Sequence, residues 1–252
     1  MELDEYKKMF DAEERHFWFR ASRQIVQGWL ERAMAEAGMD RSARLVDVGA
    51  GTGGMLARLV GTCQTLGVEY APAGVAFARS RGLDVVRGGL PDLPLRDGTF
   101  DLALSMDVFE HVEDDVAAMR GIRRALRPGG RLITTVPALQ WLWSEHDVAL
   151  HHHRRYHKAE FAERLERAGF EIVHLSYYNS LLLPPIAAVR LAGRLRGRGG
   201  PAQPGQMPAS DVGEVPGPLN ELLTRIFASE SSLLRMTNLP VGASLIADVR
   251  AH

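Results

Sequence analysis

Hydrophobic residues follow a helical period in some parts of the chain and occur as short continuous runs in others. Up to residue 38 the apolar positions recur at helical spacing and Gly38 ends the pattern, which predicts a helix over 2–38. Beyond it, short apolar runs alternate with helical segments. The predicted strands are 44–48, 65–69, 84–87, 100–105 and 130–136, and the predicted helices between them are 53–60, 72–80 and 114–126.

The alternation continues toward the end of the chain, with one interruption. The remaining predicted elements are a helix at 158–168, a strand at 170–177, a helix at 218–234 and a strand at 243–249. Strands and helices in this order are typical of a parallel sheet covered by helices, with ligands at the carboxyl ends of the strands. The interruption contains an apolar segment, 181–191, and a Gly/Pro/Ser-rich stretch, 196–217, which is expected to be flexible.

The apolar segment 181–191 has two interpretations. It predicts a cap helix over the sheet, or a hydrophobic wall that faces a membrane surface and admits a lipid-like substrate. A peripheral membrane contact therefore stays open.

Composition narrows the class of protein. The chain has 252 residues, of which 46% are hydrophobic, and this suffices for one substantial core. A formal net charge of -1 argues against a nucleic-acid partner, because proteins that bind the phosphate backbone usually carry an excess of positive charge. The single cysteine excludes an intramolecular disulfide and a cysteine-rich metal site. The charged first residues and the lack of a long apolar run predict a cytoplasmic protein.

Candidate chemistry begins where the first predicted strand enters a glycine-rich turn, Gly49-Ala-Gly-Thr-Gly53, and continues as a helix. Glycines let a ligand approach the backbone, and the helix directs free N–H groups at it, which indicates a nucleotide-type cofactor. Gly49, Gly51 and Gly54 also satisfy the dinucleotide pattern, so the glycines alone do not identify the cofactor. Asp47 favours S-adenosylmethionine, because a carboxylate repels a pyrophosphate but suits an ammonium and a sulfonium.

Glu69 ends the second predicted strand, where an acidic side chain can accept hydrogen bonds from both ribose hydroxyls. Further along come an "FDL" strand at 100–102 and an "LRPGG" turn at 126–130. In this order the features resemble the class I S-adenosylmethionine-dependent methyltransferases, of the bacterial small-molecule type, over residues 43–177. The same features and Asp47 argue against a nicotinamide dehydrogenase.

The resemblance implies a Rossmann-like, doubly wound α/β sheet of seven strands with the last strand antiparallel. It implies one domain throughout 1–252, in four parts: an N-terminal helical lid (1–40), a cofactor-binding core (43–177), a cap insertion (178–240) and the final strand (241–252). The motif and the resemblance together assign these cofactor-binding residues: Asp47, Gly49, Ala50, Gly51, Gly53, Glu69, Tyr70, Gly89, Leu90, Met106, Trp18 and Arg23.

One position departs from the family pattern. Gly89 stands where most members carry an aspartate beside the adenine. Either the backbone groups of Gly89 and Leu90 or the side chain of Asp92 would then contact the adenine. Trp18 and Arg23 belong to a "W-F-R" element that many members place over the cofactor, although packing of the helix explains the neighbouring aromatics equally well.

Methyl transfer needs a general base only when the acceptor is protonated, as a hydroxyl is. Candidate bases are Asp107 and His111, after the fourth strand, and His146 and His152, in the loop 141–156. His111 has a structural role as its alternative.

The loop 141–156 resembles an "H-D…H-x-R-R-Y" loop of bacterial methyltransferases. The predicted substrate contacts are Trp141, Trp143, Arg154, Arg155, Tyr156, Tyr178 and Asn179. Arg154 and Arg155 bind a carboxylate or phosphate of the acceptor, or instead one of them pairs with a nearby carboxylate and anchors the loop. His146, His152 and His153 suggest a metal, but adjacent histidines on an extended loop point to opposite sides, so no metal is expected.

The sequence thus predicts methyl transfer from S-adenosylmethionine to a small-molecule or lipid-linked acceptor, at a hydroxyl oxygen. Two alternatives remain. One is an N- or S-methyltransferase without a general base, and the other is a protein that binds the cofactor without catalysis.

Overall fold

The structure, a computed structural model, describes residues 3–195 and 215–252, so most of the predicted flexible stretch lies outside the described residues. The helices are α1 (Leu3–Ala12), α2 (Phe17–Glu36), α3 (Gly54–Leu59), α4 (Pro72–Ser80), α5 (Asp115–Ala125), α6 (Glu145–Ala149), α7 (Lys158–Arg167), α8 (Leu183–Leu195) and α9 (Gly217–Met236). The strands are β1 (Arg44–Val48), β2 (Gln64–Glu69), β3 (Val85–Arg87), β4 (Phe100–Met106), β5 (Leu126–Pro137), β6 (Phe170–Tyr178) and β7 (Ser244–Ala251).

The strands form one seven-stranded sheet in the order β3-β2-β1-β4-β5-β7-β6. β7 runs antiparallel to both of its neighbours, and the pairs from β3 to β5 are parallel. This topology confirms the predicted Rossmann-like fold with an antiparallel last strand. It also brings the carboxyl ends of β1, β2, β4, β5 and β6 to one edge.

Burial explains why the central strands are apolar throughout. β4 is buried along nearly its whole length, because one apolar cluster covers each face of the sheet. The helix α5 is amphipathic and contributes Val116, Met119 and Ile122 to one of these clusters. Asp114 caps α5 by accepting a hydrogen bond from the Ala117 amide at 2.9 Å.

The N-terminal region differs from the single predicted helix, because it forms two. The break falls at 13–16, where Glu13 turns inward to an ion pair with Arg81. His16 then caps α2 by accepting a hydrogen bond from the Trp18 amide at 3.3 Å. Apolar spacing continues through the break, so periodicity alone did not reveal it.

The insertion between β6 and β7 contributes α8 and α9. α9 packs against α2, and the rings of Trp18 and Phe227 lie 5.3 Å apart. Asn220 of α9 accepts a hydrogen bond from the Phe17 amide at 2.8 Å and donates one to the Arg15 carbonyl at 2.7 Å. The insertion is therefore fastened to the junction between α1 and α2.

The helix α8 fits the predicted cap helix but leaves apolar side chains uncovered. Val189 and Leu191 are exposed, and Leu191 lines a shallow cleft together with Trp141. Across the described ranges, no helix combines the length and apolar character that crossing a bilayer requires.

Candidate active site

Three non-glycine residues adopt a left-handed backbone just after strands at the same edge of the sheet. They are Asp107 after β4, Leu139 after β5 and Asn179 after β6, with φ of 52°, 63° and 55°. Such conformations cost energy and concentrate at functional sites, where the surrounding structure maintains them. The strained positions therefore mark this edge as the candidate active site.

The glycine turn follows β1 at the same edge. Gly49, Gly51 and Gly53 all have positive φ, and a Cβ atom on Gly49 or Gly53 would clash inside the protein, against Val108 and Leu83 respectively. Gly51 differs, because a Cβ atom there would first meet the terminal methyl carbon of Met9, at 3.0 Å. Gly49 and Gly53 therefore shape the turn, and Gly51 gives it a face that only a flexible side chain covers.

Glu69, at the end of β2, is buried and well connected. Its carboxylate accepts hydrogen bonds from the amides of Gly51 and Ala71, each at 2.8 Å. The hydroxyl of Tyr6 donates a third, at 3.0 Å. The two amides fix the position of the carboxylate, and Tyr6 donates to the same oxygen as Ala71.

The helix α1 lies across this part of the site. Tyr6 reaches Glu69, Met9 covers Gly51, and the ring of Phe10 lies 4.9 Å from that of Phe77 in α4. Burial, followed by the negative charge of Glu69, raises the pKa of Tyr6 well above its usual value. Tyr6 consequently stays a hydrogen-bond donor at neutral pH.

Asp47 is 3% exposed and sits behind the glycine turn near Glu69. Burial, with a smaller contribution from the charge of Glu69, raises the pKa of Asp47 to about 7. Two carboxylates held close in a dry site favour a cation, and a cationic cofactor fits that electrostatic demand.

Arg23 of α2 enters the same region from the other side. It is 4% exposed, and its Nη1 donates to the Gly54 carbonyl and to Glu14, each at 3.0 Å. Its Nη2 is buried and has no hydrogen-bond partner. A buried guanidinium nitrogen without a partner fits the carboxylate end of an amino-acid cofactor.

The remaining predicted cofactor residues are less closely tied to the turn. Tyr70 is 73% exposed, and a Cβ on Gly89 would approach its ring to 2.8 Å. Leu90 and Met106 are partly buried in the apolar clusters. Trp18 packs on Phe227, as described above, so its visible role is to dock α2 against α9.

Three residues of the loop 141–156 form a buried polar cluster. Nδ1 of His152 lies 3.0 Å from Oδ1 of Asp147, and Nε of Arg155 donates to the same oxygen at 2.7 Å. Burial alone would raise the pKa of Asp147, but the hydrogen bond with His152 and the charge of Arg155 outweigh it and hold that pKa well below its usual value. Asp147 therefore stays ionised and holds the imidazole through Nδ1, which leaves Nε2 directed elsewhere.

The Nε2 side of His152 faces the segment after β4. It lies 3.9 Å from Oε1 of Glu110, and the ring of His111 meets that of His152 edge-on at 4.6 Å. Burial, together with the neighbouring His152, lowers the pKa of His111 to about 4. His146, another predicted base, lies further out, with its ring centre 6.4 Å from that of His152.

Asp107 and Tyr178 complete the inner wall. Oδ1 of Asp107 accepts a hydrogen bond from Thr135 at 3.1 Å, and burial raises the pKa of Asp107. Burial and the nearby Asp107 raise the pKa of Tyr178 well above its usual value. Both side-chain amide atoms of Asn179 are buried without a partner. Such unsatisfied groups are rare in native interiors and indicate a ligand surface.

The outer part of the loop is anchored to α5. Arg154 and Arg164 both pair with Asp115, at 2.9 and 2.7 Å, and the fully buried Tyr156 donates to it at 2.7 Å. Arg155 pairs with Asp147 in the same way. Arg154 and Arg155 therefore each form the kind of ion pair that the anchoring interpretation describes. Binding of the acceptor by Arg154, Arg155 or Tyr156 stays a prediction.

Three residues of the site were missed by the sequence reasoning. Asp147 stands in the "H-D" part of the loop motif, which was a usable signal. Glu110 follows β4 beside two named candidates, and only its burial without a partner distinguishes it. Tyr6 gave no signal, because nothing in its neighbourhood predicts that α1 turns back over Glu69.

Comparison with known proteins agrees with this geometry. Residues 46–134 match a family described as a methyltransferase domain. A protein of Mycolicibacterium smegmatis, named "Probable S-adenosylmethionine-dependent methyltransferase", is 31% identical over 164 residues, which are 63% of this chain and 61% of the relative. The malonyl-[acyl-carrier protein] O-methyltransferase of Methylococcus capsulatus is 31% identical over 147 residues, 53% of this chain and 54% of the relative.

Among solved structures, a SAM-dependent methyltransferase from Thermotoga maritima superposes with a TM-score of 0.59 at 19% identity, covering 99% of this chain and 95% of that one. The chain spans about three fifths of the length of the first curated relatives it matches. Together with the sheet order, the glycine turn and Glu69, these matches support a class I S-adenosylmethionine-dependent methyltransferase. S-adenosylmethionine is the cofactor of that family.

Proposed function

We propose that this protein transfers a methyl group from S-adenosylmethionine to a hydroxyl oxygen of a small or lipid-linked acceptor. The observation that carries the proposal is His152, held through Nδ1 by an ionised Asp147 at the sheet edge where the strained residues lie. An imidazole held in this way suits proton removal from a hydroxyl, which a nitrogen or sulfur acceptor does not need.

Cofactor binding is supported by the turn and its surroundings. We assign the ribose to Glu69, the cationic centre to Asp47 and the carboxylate to Nη2 of Arg23, on the grounds of burial and charge given above. The bound cofactor supplies an electrophilic methyl group on a sulfonium. The chain's own task is to align that methyl with the acceptor and exclude water.

The surroundings of the four predicted bases make them differ in how well each can remove a proton from the acceptor. His111, with a pKa of about 4, is neutral but a weak base. Asp107 is engaged by Thr135, and His146 stands further out than His152, which Asp147 holds directly. His152 combines burial with an ionised partner, so we assign it the removal of the acceptor's proton.

The acceptor side is supported by two observations. The unpartnered amide of Asn179 and the hydroxyl of Tyr178 offer polar contacts on the inner wall. The exposed apolar side chains of α8, together with Trp141, give an approach suited to an acceptor with a lipid tail or to a membrane surface. Methylation of a nitrogen or sulfur atom is the second candidate. Such an acceptor needs no general base, so the anchored loop that contains His146 and His152 would only have to position it.

The test is turnover of His152→Ala against a panel of hydroxyl, amine and thiol acceptors, with product detection by mass. We expect kcat to fall by about 10² to 10⁴ on a hydroxyl acceptor while cofactor affinity stays nearly unchanged. His153→Ala, which alters an exposed neighbouring histidine, is the matched control. Native turnover in His152→Ala with a hydroxyl acceptor would refute the assignment, and turnover on amines or thiols only would favour the second candidate.

A further inference from the structure

Glu110, His111 and His152 converge at the junction of the segment after β4 and the loop after β5. Each offers one potential ligand atom, and these atoms lie within 4.8 Å of one another. This set differs from the three histidines that the sequence suggested, because Glu110 and His111 replace His146 and His153. Two imidazoles and one carboxylate are a donor set typical of Zn²⁺ and of similar divalent metals.

Glu110 is the group whose burial most needs an explanation. It is fully buried, and neither of its carboxylate oxygens has a hydrogen-bond partner. An unpaired buried carboxyl is costly, and a cation bound between Glu110 and the two histidines would remove that cost.

The two histidines are oriented as ligands usually are. His152 is held at Nδ1 by Asp147, which leaves Nε2 for a metal, and Asp147 is itself fixed by Arg155 and by the Ser144 amide at 2.9 Å. The ring of His111 lies edge-on against that of His152, with the ring centres 4.6 Å apart. A carboxylate or carbonyl on the far nitrogen is the usual outer support of a metal-binding histidine, because it fixes the tautomer.

We propose that Glu110, His111 and His152 bind one divalent transition-metal ion of the Zn²⁺ type. Ligand atoms of a tetrahedral Zn²⁺ site lie about 3.3 Å apart, given bonds of roughly 2.0 Å. The 3.9 Å between His152 and Glu110 therefore requires a contraction of about 0.6 Å, and ligand atoms as far apart as 4.8 Å would have to approach by about 1.5 Å. In the described ranges no other group of three such residues converges, so the expected stoichiometry is one ion per chain.

The site adds a second way of activating an acceptor. Three protein ligands leave at least one coordination position for water or an acceptor oxygen. With an ion bound, His152 would serve as a ligand, and the ion would supply Lewis-acid activation of an acceptor hydroxyl in place of a free imidazole. Metal binding itself does not rest on the proposed methyl transfer, because it is measured without cofactor and acceptor.

The experiment uses the full chain without an affinity tag, stripped of metal and titrated with Zn²⁺ by calorimetry. Co²⁺ is titrated in parallel, since the visible absorption of tetrahedral Co²⁺ is much stronger than that of the aqueous ion. We expect one site per chain, weakened at least about tenfold in Glu110→Gln and in His152→Ala. His153→Ala is the control and should bind like the native protein.

Glu110→Gln keeps the volume of the side chain and the Asp147–His152 contact, so it separates loss of a ligand from loss of the fold. Circular dichroism checks that each variant is folded. Native protein that binds no Zn²⁺, or folded Glu110→Gln and His152→Ala variants that bind it as tightly as the native chain, would overturn the proposal. Loss of binding in His153→Ala alone would also overturn it, because the ion would then belong to the exposed histidines.

Discussion

At the scale of single residues, the proposed cofactor site contains two buried carboxyl groups, to which we assigned a cation and a ribose. Asp47 and Glu69 are both nearly inaccessible, and Glu69 is engaged by two amide donors. Burial acts differently on Asp47, because it raises the pKa of that carboxyl to about 7. We therefore expect the two carboxyl groups to affect cofactor affinity differently. Glu69 would act through hydrogen bonds from a fixed position, and Asp47 through its ionisation state.

Replacement of Glu69 by alanine should weaken binding of S-adenosylmethionine by about tenfold or more. A charged acceptor of ribose hydrogen bonds contributes roughly 1 to 3 kcal/mol. Calorimetry measures the change directly. Tyr6→Phe is the matched comparison, since it removes only the hydroxyl that α1 donates to Glu69 and keeps the carboxylate, so it should lose less affinity than Glu69→Ala. Unchanged affinity in Glu69→Ala would contradict the assignment.

Affinity for the cofactor should depend on pH through Asp47. Its folded pKa of about 7 lies above the ordinary value of 3.8, so the empty site is protonated below about pH 7, whereas a cationic cofactor requires the carboxylate. Affinity should therefore fall as pH drops below about 7, by at most about tenfold per pH unit. Calorimetry between about pH 6 and 8 gives the profile, and Asp47→Asn should flatten it. An equally steep profile in that variant would assign the titration to another group.

The same raised pKa makes the free energy of unfolding depend on pH. Between 3.8 and about 7 the folded protein holds a proton that the unfolded chain has lost, so the contribution of Asp47 to stability declines as pH rises through that window. Without cofactor, Asp47→Asn should therefore be more stable than the native protein at about pH 8, measured by urea unfolding. Equal or lower stability of the variant would contradict the burial effect.

At the scale of elements, the decisive piece is the loop between β5 and α7, which two carboxylates hold in place. Asp147 is fully buried and pairs with His152 and with the guanidinium of Arg155. Asp115 pairs with two arginines and a tyrosine hydroxyl. Loss of an arginine should consequently cost more at Asp147 than at Asp115.

We expect Arg155→Ala to lower the free energy of unfolding by about 3 kcal/mol, because it leaves a buried carboxylate without its guanidinium. Arg154→Ala should cost about 1 kcal/mol or less, since Asp115 keeps Arg164 and Tyr156. Urea unfolding compares the two variants under one set of conditions. Equal losses would contradict the argument that Asp147 depends on its arginine more than Asp115 does.

The elements also show what the sequence could predict. Strands such as β1 and β4 follow from their apolar runs, and Glu69 follows from its place at a strand end, because these signals are local. The contact of Tyr6 with Glu69 joins residues 63 positions apart, which no local pattern encodes. The same holds for the meeting of Glu110 with His152, since only the sheet order brings the ends of β4 and β5 together.

β5 gives a smaller example of the same limit. The sequence predicts its start at 130, because Arg127-Pro-Gly-Gly is typical of a turn. The structure starts it at Leu126, which pairs with Phe100 ahead of a bulge in the β4–β5 ladder. Turn residues thus lie inside the strand, and tertiary pairing decides the boundary.

At the scale of the whole molecule, the N-terminal helices and the insertion form one cover over the cofactor half of the site. Asn220 of α9 binds both sides of the α1–α2 junction, through the Phe17 amide and the Arg15 carbonyl. α1 in turn places Tyr6 and Met9 on the glycine turn. We therefore expect residues separated by most of the chain to influence cofactor binding without contacting the cofactor.

Replacement of Asn220 by alanine tests this coupling. Two hydrogen bonds of about 0.5 to 1.5 kcal/mol each would be lost at the junction, so α1 should open more readily. We expect faster amide exchange across Leu3–Ala12 and a cofactor affinity several-fold lower, because each binding event must first order the cover. Hydrogen-exchange mass spectrometry and calorimetry report the two effects. Glu221→Ala, which removes an exposed ion pair to Arg20 from the next position, is the control and should change neither. If Asn220→Ala exchanges α1 faster yet binds the cofactor like the native protein, then α1 covers the site without contributing to affinity, and the lid interpretation of the N-terminal region fails.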